Sequence, residues 1–427
     1  MVGFVRVSDR RRKVLKKIVS CLRLGEIPMR RHSEGLFPIG KSGMRLLFVL
    51  LLCNSVLLCY CMAAEWNLEM VQTMWRHGHR TPLTALPKFE ETWLCHSTEA
   101  AMAENTLDLD QYPPNRVFLS HFIPGVESLP GNCSVGQLTL QGQEDMQQTG
   151  KILANRYAGF LPTAYDPAAV YIRTTPTPRC QNSARILVNT LFPATATDGL
   201  VHLYMREQSM ENMESNANIC PMFYNYQSDV QYSAAYTKTI TALTQWRQYI
   251  QSIFQSSDPN FPNFTNLLDA FTCRLSANMT LPPGINQTLY EALLEQVTLQ
   301  GQLMNGDPKV AKASVGNFFN EIMDAFELKV SNTSSPLKFI GYSAHDSGIW
   351  PIALQLGIGK EWPAIAGDLS FELYSSTTSA DTFAMRIMYQ NAMVQLPGCS
   401  EYCEMSEFSS KVASLRLPHL HSSFCTG

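Results

Sequence analysis

The chain has 427 residues, of which 45% are hydrophobic and 16% are charged, so it can bury a sizeable core and is not a disordered polyelectrolyte. Residues 1–45 contain 12 Lys and Arg against 3 Asp and Glu, whereas the rest of the chain contains 21 basic against 33 acidic residues. This acidic body excludes nucleic acid as the main partner, because affinity for a phosphate backbone comes from clustered Lys and Arg.

The basic start is followed by an apolar run from Leu46 to Ala64, which contains no charged residue and ends in small side chains before Glu65. This pattern is typical of a secretory signal with its cleavage site, which we favour. A single membrane anchor is the alternative, because the run is close to the roughly 17–25 residues that cross a bilayer. Residues 1–43 are either a cytoplasmic tail or an upstream extension whose true start is Met44, and the sequence leaves both open.

The use of cysteine also indicates export. Four of the 12 cysteines precede Glu65, and eight lie in the body: Cys95, Cys133, Cys180, Cys220, Cys273, Cys399, Cys403 and Cys425. An even number predicts disulfides, although spacing alone does not choose among about 105 pairings. Five glycosylation sequons support the same prediction, at Asn132, Asn263, Asn278, Asn286 and Asn332. The sequence therefore predicts the secretory pathway, with a secreted or lysosome-like destination.

Strand-like and helical segments alternate along the body. The predicted strands are Leu68–Trp75, Val170–Thr175 and Leu337–Tyr342. The predicted helices are one that starts near Gln181, then Ala234–Gln255, Leu289–Met304 and Val310–Phe326. This alternation predicts an α/β catalytic domain from residues 65–232 and 331–427, with residues 233–330 inserted as a helical cap.

Residues suited to phosphate follow each predicted strand. They are Arg76, His77, Gly78, His79 and Arg80 after the first strand, Arg179 after the second, and His345 with Asp346 after the third. In an open α/β sheet ligands bind beyond the carboxyl ends of the strands, and the planar fork of Arg fits phosphate oxygens. Gly78 would allow a close approach of the backbone. Each motif alone is more often a solvated loop or a helix start, so their shared position carries the prediction.

The motif RHGxRxP at residues 76–82 together with His-Asp at residues 345–346 resembles the histidine acid phosphatases, in particular the branch of the prostatic and lysosomal acid phosphatases. The segments Gly136–Thr139, Leu191–Pro193, Phe371–Tyr374 and Leu396–Cys399 resemble that branch as well. The resemblance covers essentially Glu65 to the end of the chain. It implies a phosphoglycerate-mutase-like fold, with a mostly parallel central sheet flanked by helices and a smaller inserted helical cap.

The resemblance also implies the chemistry and the role of each site residue. His77 is the nucleophile and forms a phosphohistidine; Arg76, Arg80 and Arg179 bind the phosphoryl oxygens; His345 adds a donor; Asp346 protonates the leaving alcohol. The implied substrates are small-molecule or protein phosphate monoesters, with no cofactor and no metal. Homodimer formation is a further expectation. Because Asp346 must hold a proton to act as an acid, we expect a mildly acidic working pH.

Two positions depart from the family pattern, and the cysteines follow it in part. His79 stands where Asp is common, so we expect altered substrate contacts or pH dependence, and Pro176 and Pro178 replace acidic residues before Arg179. The resemblance implies the disulfides Cys220–Cys425 and Cys399–Cys403. Cys273 matches one end of a third family disulfide, but its expected partner near Asp368 is not a cysteine. Among the remaining cysteines we expect Cys95 to pair with Cys133.

Three other functions compete with an acid phosphatase. A phytase would need a basic pocket for a highly charged inositol polyphosphate, whereas this body is acidic, although net charge does not exclude a local pocket. A metal-binding protein could use His77, His79, His345 and Asp346 as ligands. A catalytically silent secreted binding glycoprotein is disfavoured because every catalytic position is filled.

Overall fold

The protein is organised around a sheet with helices on both of its faces. The computed structural model describes residues 66–86, 92–95, 129–193, 200–255, 261–417 and 423–427. The strands are β1 (Trp66–Arg76), β2 (Val170–Thr174), β3 (Leu203–Tyr204), β4 (Phe339–Ala344), β5 (Asp368–Ser376), β6 (Phe383–Tyr389), β7 (Ala392–Val394) and β8 (Cys403–Glu404). The helices are α1 (Leu140–Arg156), α2 (Pro178–Leu191), α3 (Phe223–Gln231), α4 (Ala234–Phe254), α5 (Phe264–Ser276), α6 (Gln287–Gly306), α7 (Pro308–Ser331), α8 (Asp346–Gln355), α9 (Met405–Val412) and α10 (Ser423–Thr426).

The sheet has the strand order β3-β2-β4-β1-β5-β6-β7, with β8 paired to β6. Strands β1 to β4 pair in parallel, whereas β5 to β8 pair antiparallel. The predicted α/β fold is confirmed, and the parallel pairings are confined to the half of the sheet that bears the three motifs. The other half is antiparallel because short connections, such as residues 377–382 and 390–391, join neighbouring strands only in that direction.

The predicted elements agree with the observed ones to within one to three residues at each end, except that α7 extends five residues further. Helix α2 begins at Pro178, three residues before the predicted start near Gln181. Proline suits this first turn, because the N–H groups there have no partner within the helix, so the N–H that proline lacks costs no hydrogen bond. Likewise, Asp307 caps α7 by accepting hydrogen bonds from the N–H groups of Lys309 and Val310. Periodicity located these helices, and the capping residues set where they begin.

The side chains of β1 point alternately to the two faces of the sheet, so the core on the sheet has two layers. Met70 and Met74 face one side of the sheet, where they pack with helices α7, α8 and α9. Val71 and Trp75 face the other side, where they pack with α1 and α2. Because successive side chains of a strand point to opposite faces, one apolar strand serves both layers. The sheet is thereby buried on both faces, and its strand ends are held in fixed positions.

The helices between residues 233 and 330 pack in two ways. Helices α4, α5 and α6, which we call the cap helices, share a hydrophobic cluster that contains no residue of the sheet. Helix α7 instead contributes residues such as Phe318 and Phe326 to the core on the sheet. A cap that spans 233–330 stays a proposal, and this packing favours a cap that ends before Pro308.

Three disulfides are present among the described residues: Cys95–Cys133, Cys220–Cys425 and Cys399–Cys403. These are the pairings expected from the sequence, whereas Cys180 and Cys273 are buried free thiols. The apolar run of residues 46–64, predicted to be a signal or an anchor, lies outside the described residues. No helix in the described ranges is both long and apolar enough to span a membrane.

The loop after β1 packs unusually closely against the first turn of α1. A Cβ atom at Gly78 would lie 2.1 Å from the carbonyl oxygen of Gly142, and one at Gly142 would lie 2.0 Å from the carbonyl oxygen of His79. Both distances are far below van der Waals contact, so only glycine fits at either position. The expected close approach at Gly78 is thus made to helix α1, and it fixes the path of the motif.

We predict that Gly142→Ala displaces this loop and impairs the protein. An inserted methyl group in a well-packed region costs roughly 1–3 kcal/mol of stability, and here the obstacle is backbone that has no rotamer to change. Thermal unfolding and hydrolysis of an aryl phosphate should both show the loss. Gly306→Ala is the control, because no heavy atom lies within 4 Å of a Cβ at that position. Equal behaviour of the two variants would contradict the prediction.

Candidate active site

The ends of three parallel strands bring the three sequence motifs together. In the register of the sheet, Arg76 of β1 and Thr174 of β2 lie opposite Ala344 and Ser343 of β4. The N–H of His77 then donates to the carbonyl oxygen of Ala344 at 3.1 Å, which ties the first motif to the third. Residues far apart in sequence are therefore adjacent because neighbouring parallel strands end at the same edge.

A cavity of about 430 Å³ opens at this edge. Four of the predicted site residues line it: Arg76, His77, Arg80 and Asp346. The opposite wall comes from cap helices α5 and α6, and a third side comes from the segment around Trp362. Arg179 and His345 do not belong to the described cavity wall, but they lie directly behind it: the rings of His345 and His77 are 5.5 Å apart, edge to face.

His77 is held as a neutral imidazole with one nitrogen available. Its Nδ1 lies 2.8 Å from the carbonyl oxygen of Gly78, and because a carbonyl only accepts, Nδ1–H must be the donor. The lone pair is then on Nε2. Burial lowers the pKa of His77 well below its usual value, and the guanidinium groups of Arg80 and Arg179 lower it further. A buried imidazole that stays unprotonated in acid is suited to nucleophilic attack.

Asp346 is ionised in the resting structure. Its Oδ2 lies 2.8 Å from Nη2 of Arg76 and accepts a 2.6 Å hydrogen bond from the indole N–H of Trp362. Burial raises the pKa of this carboxyl group, but Arg76 and the indole N–H lower it by more, so the pKa lies below its usual value. Arg76 is itself held by a 2.6 Å hydrogen bond to the carbonyl oxygen of Pro363. The predicted acid is therefore positioned at the cavity but unprotonated until something else binds.

The guanidinium group of Arg179 lies against the ring of His345, which in turn lies edge to face with His77. One of its terminal nitrogens, Nη2, lies 3.4 Å from Nδ1 of His345, which leaves Nε2 of that ring facing the hydroxyl group of Thr175 at 3.1 Å. Within the described ranges Arg179 makes no ion pair within 4.0 Å, and its Nε has no hydrogen-bond partner. Burial lowers the pKa of Arg179, because a charge withdrawn from water is destabilised, and neighbouring groups that include Glu214 and Asp346 offset this effect only in part. An anion in the cavity would supply that counter-ion.

Arg80 is bound by a carboxylate that the sequence motifs do not contain. Its Nη1 and Nη2 donate to Oδ2 and Oδ1 of Asp269 at 3.1 and 2.7 Å, a bidentate pair. Asp269 lies on cap helix α5, one turn before Cys273. The backbone N–H of Leu83 donates to Asp269 Oδ2 at 2.9 Å. Helix α5 of the cap is thus linked by an ion pair at the cavity to residues 77–82, which we call the motif loop.

His79 does not line this cavity, so the side-chain positions do not support the expectation that it alters substrate contacts, whereas the alternative expectation of an altered pH dependence stays a prediction. Its Nε2–H donates to the carbonyl oxygen of Cys273 at 2.8 Å, and its Nδ1 contacts the hydroxyl group of Thr139 at 2.7 Å. The buried ring also stacks on Trp93 at 6.3 Å. His79 therefore joins the loop to helix α5. The second departure, Pro178, begins α2 and leaves Arg179 against His345.

The metal-binding alternative is not supported by the side-chain positions. Both ring nitrogens of His79 are already hydrogen-bonded, and Nδ1 of His77 is as well. Within the described residues, three metal-ligating side chains have donor atoms within 4.8 Å of one another at Cys399, Cys403 and Glu407, far along the chain from the motifs. Those two cysteines are joined in a disulfide, so this group does not form a site either.

The sequence patterns assigned no role at the cavity to much of its wall, including Asp269, Cys273 and Trp362. Asp269 and Cys273 are one helical turn apart and share a face of α5, but so do many exposed polar pairs. Trp362 lies in an irregular segment without any periodic pattern. No signal within the sequence distinguishes these residues from ordinary surface or core residues, because their positions depend on how the cap packs.

Comparison with known proteins identifies the family. The model of the histidine phosphatase superfamily, branch 2, matches residues 67–390. The chain belongs to this family. A lysosomal acid phosphatase of Xenopus laevis is 25% identical and covers 64% of this chain and 68% of its own length. A testicular acid phosphatase of Homo sapiens is 25% identical and covers 85% and 83%. Family and relatives confirm the predicted acid phosphatase activity on phosphate monoesters.

Two further similarities each cover more than four-fifths of the chain. The protein named counting factor 60 of Dictyostelium discoideum is 28% identical over 89% of this chain and 97% of its own length. Among solved structures, the phytase of Hafnia alvei in complex with tartrate matches with a TM-score of 0.57 at 17% identity, over 83% of this chain and 100% of that one. This structural likeness shows the fold and confirms the expected family architecture.

We predict that the catalytic efficiency does not fall between pH 6.5 and 4.5 through protonation of His77. An ordinary histidine becomes charged as the pH falls through about 6.5, whereas a lowered pKa keeps this ring neutral to lower pH. The measurement is kcat/KM for 4-nitrophenyl phosphate against pH, corrected for ionisation of the substrate. An acid limb with a midpoint near pH 6.5 after that correction would contradict the prediction.

Proposed function

We propose that the enzyme hydrolyses phosphate monoesters in two steps through a phosphohistidine on His77. Nε2 of His77 attacks phosphorus, the bond from phosphorus to the ester oxygen breaks, and Asp346 gives its proton to the leaving alcohol. Water then attacks the phosphohistidine, Asp346 takes a proton from it, and the P–N bond breaks to release phosphate and restore His77. The observation that carries this proposal is the neutral His77, with Nδ1 bound and Nε2 available at the cavity.

The arginines supply the electrostatic part of the proposed mechanism. Negative charge in phosphoryl transfer is spread over the equatorial oxygens, so positioned guanidinium groups lower the barrier. Each of Arg76, Arg80 and Arg179 has a buried Nε without a hydrogen-bond partner among the described residues. For Arg156 and Arg173, which share that feature, carboxylates outside the cavity wall pair with the terminal nitrogens. In the active site, by contrast, Arg179 has no such partner, and we assign the phosphoryl group as its counter-ion.

Substrate binding would give Asp346 the proton that it needs. In the resting structure Arg76 and the indole N–H of Trp362 favour its ionised form. A phosphoryl group that binds to Arg76 brings negative charge next to the carboxylate, and like charge raises the pKa of a carboxyl group. In a mildly acidic compartment Asp346 would then be protonated in the complex. His345 would act mainly by holding Arg179 in place through Nδ1.

The proposed setting is a lysosome-like or extracellular compartment, in agreement with the lysosomal relatives. The five sequon asparagines are exposed, so their side chains are accessible for glycosylation: Asn132, Asn263, Asn278, Asn286 and Asn332. Association into a homodimer and anchoring through residues 46–64 remain predictions. The printed names of the solved neighbours keep a phytase as the alternative activity, but at 17% identity or less they carry the fold alone.

We predict that His77→Ala abolishes turnover, with a fall in kcat of roughly 10³-fold or more, because the nucleophile is removed. A rapid acid-free quench with radiolabelled substrate should detect an alkali-stable phosphoryl adduct in the parent protein and none in the variant. His202→Ala is the control, since His202 is an exposed histidine outside the cavity. Retained turnover in His77→Ala would exclude this nucleophile, and so would an adduct on another residue.

We predict that Asp346→Asn affects esters of poor leaving groups most. A general acid contributes roughly 10²–10⁴-fold when the leaving oxygen needs a proton, and little when the leaving group is already stable as an anion. The slope of log kcat against the pKa of the leaving alcohol should therefore become steeper in the variant. Asp229→Asn, at an exposed aspartate of α3, should leave the slope unchanged. A uniform loss over all esters would contradict the role of Asp346 as the acid.

A further inference from the structure

The carboxylate of Asp269 forms part of the cavity wall that faces the catalytic residues. It reaches there from cap helix α5, and its two oxygens accept from the two terminal nitrogens of Arg80. A third hydrogen bond, from the N–H of Leu83, fixes its orientation. Four-fifths of its side chain is shielded from solvent, with 19% exposed. Asp269 is thus a fixed negative charge at the site, and nothing in the proposed chemistry requires it to react.

The charges of the cavity wall are balanced in pairs. Its permanent cations are Arg76 and Arg80, and each of them is bound to one carboxylate of the wall, Asp346 or Asp269. The wall contains no lysine among the described residues. Apart from the arginines that would bind the reacting phosphoryl group, the described part of the cavity wall therefore offers no cation to a second anionic group.

The part of the cavity that would hold the alcohol is neutral and largely apolar. Its side chains include Leu83, Leu268, Leu294, Trp362 and Ile365. A second phosphate on the alcohol would lose its hydration against this surface without a compensating ion pair, which is strongly unfavourable. It would also approach the carboxylate of Asp269, and like charges in a partly desolvated site repel each other strongly.

We propose that Asp269 is a specificity-determining residue, which selects esters with one phosphate on an uncharged alcohol against esters that carry a second phosphate. This inference rests on the proposed phosphomonoesterase function and names its substrate class. Asp269 selects between these esters in two ways. It repels a second phosphate directly, and it occupies the two terminal nitrogens of Arg80, which could otherwise bind that second phosphate. The reacting phosphoryl group is bound by Arg76, by Arg179 and by the part of Arg80 that Asp269 leaves free, its Nε.

The test compares two substrates that differ only in the second phosphate: hexyl phosphate and 1,6-hexanediol bisphosphate. For the purified full chain, kcat/KM for release of phosphate should be at least roughly tenfold higher for hexyl phosphate, as expected for one unfavourable charge contact in a half-buried site. Asp269→Asn removes the charge and keeps an oxygen for Arg80. Losing one contact to Arg80 can weaken binding of the reacting phosphoryl group for both substrates, but repulsion of a second phosphate acts on the bisphosphate alone, so the variant should reduce the preference at least about fivefold.

The matched control is Asp324→Asn, which removes an aspartate that is also paired with an arginine, Arg416, but on the exposed side of α7. Its preference should equal that of the parent protein. An unchanged preference in Asp269→Asn would overturn the proposal, and so would a parent protein that hydrolyses both esters equally well. If the parent hydrolyses neither ester, the proposed function fails, which is a different result.

A binding measurement covers the case in which Asp269→Asn does not fold. Hexylphosphonate and hexane-1,6-bisphosphonate are not hydrolysed, so their affinity for the parent protein is independent of turnover. Isothermal titration at low salt should show hexylphosphonate binding at least roughly tenfold more tightly, and added salt should reduce this difference by screening the repulsion. Equal or tighter binding of the bisphosphonate would overturn the role of Asp269 whatever the variant does.

Discussion

A neutral imidazole surrounded by permanent positive charge is the constraint on which this active site depends. Guanidinium groups are needed to bind a phosphoryl group, and the same groups make protonation of His77 unfavourable. The two requirements support each other, because a nucleophile must be unprotonated and an acid phosphatase must work where an ordinary histidine is charged. Burial strengthens both effects, since it removes the water that would otherwise stabilise an imidazolium.

That concentration of positive charge has to be balanced in the resting protein, and the balance extends into the cap. Asp346 compensates Arg76 from the sheet side, whereas Asp269 compensates Arg80 from helix α5. The hydrogen bond from His79 to the carbonyl oxygen of Cys273 joins the same loop to the same helix. The cap helix is therefore positioned by the motif loop itself, which explains how a departure from the family pattern at His79 is accommodated without a change at the catalytic residues.

The sequence predicted the parts of the protein that are determined locally. Apolar periodicity located β1, β2, β4 and the long helices, and the position of Arg76, Arg179 and Asp346 after strands indicated one shared site. Local patterns did not reveal the antiparallel half of the sheet, which depends on pairing between distant strands. Nor did they reveal Asp269 or Trp362, because each enters the cavity only when separately folded segments pack together. Pro178 is compatible with an inward Arg179, because its restricted φ angle suits the first turn of α2, and Arg179 lies against His345.

The resting state of Asp346 shows how charge balance and catalysis are connected. An acid that held its proton permanently would leave Arg76 without a counter-ion in the empty site, at the cost of an unpaired and largely buried charge. An acid that never held a proton would not assist departure of the alcohol. The contact with Arg76 avoids both difficulties, because the incoming phosphoryl group takes over that guanidinium and the freed carboxylate gains affinity for a proton.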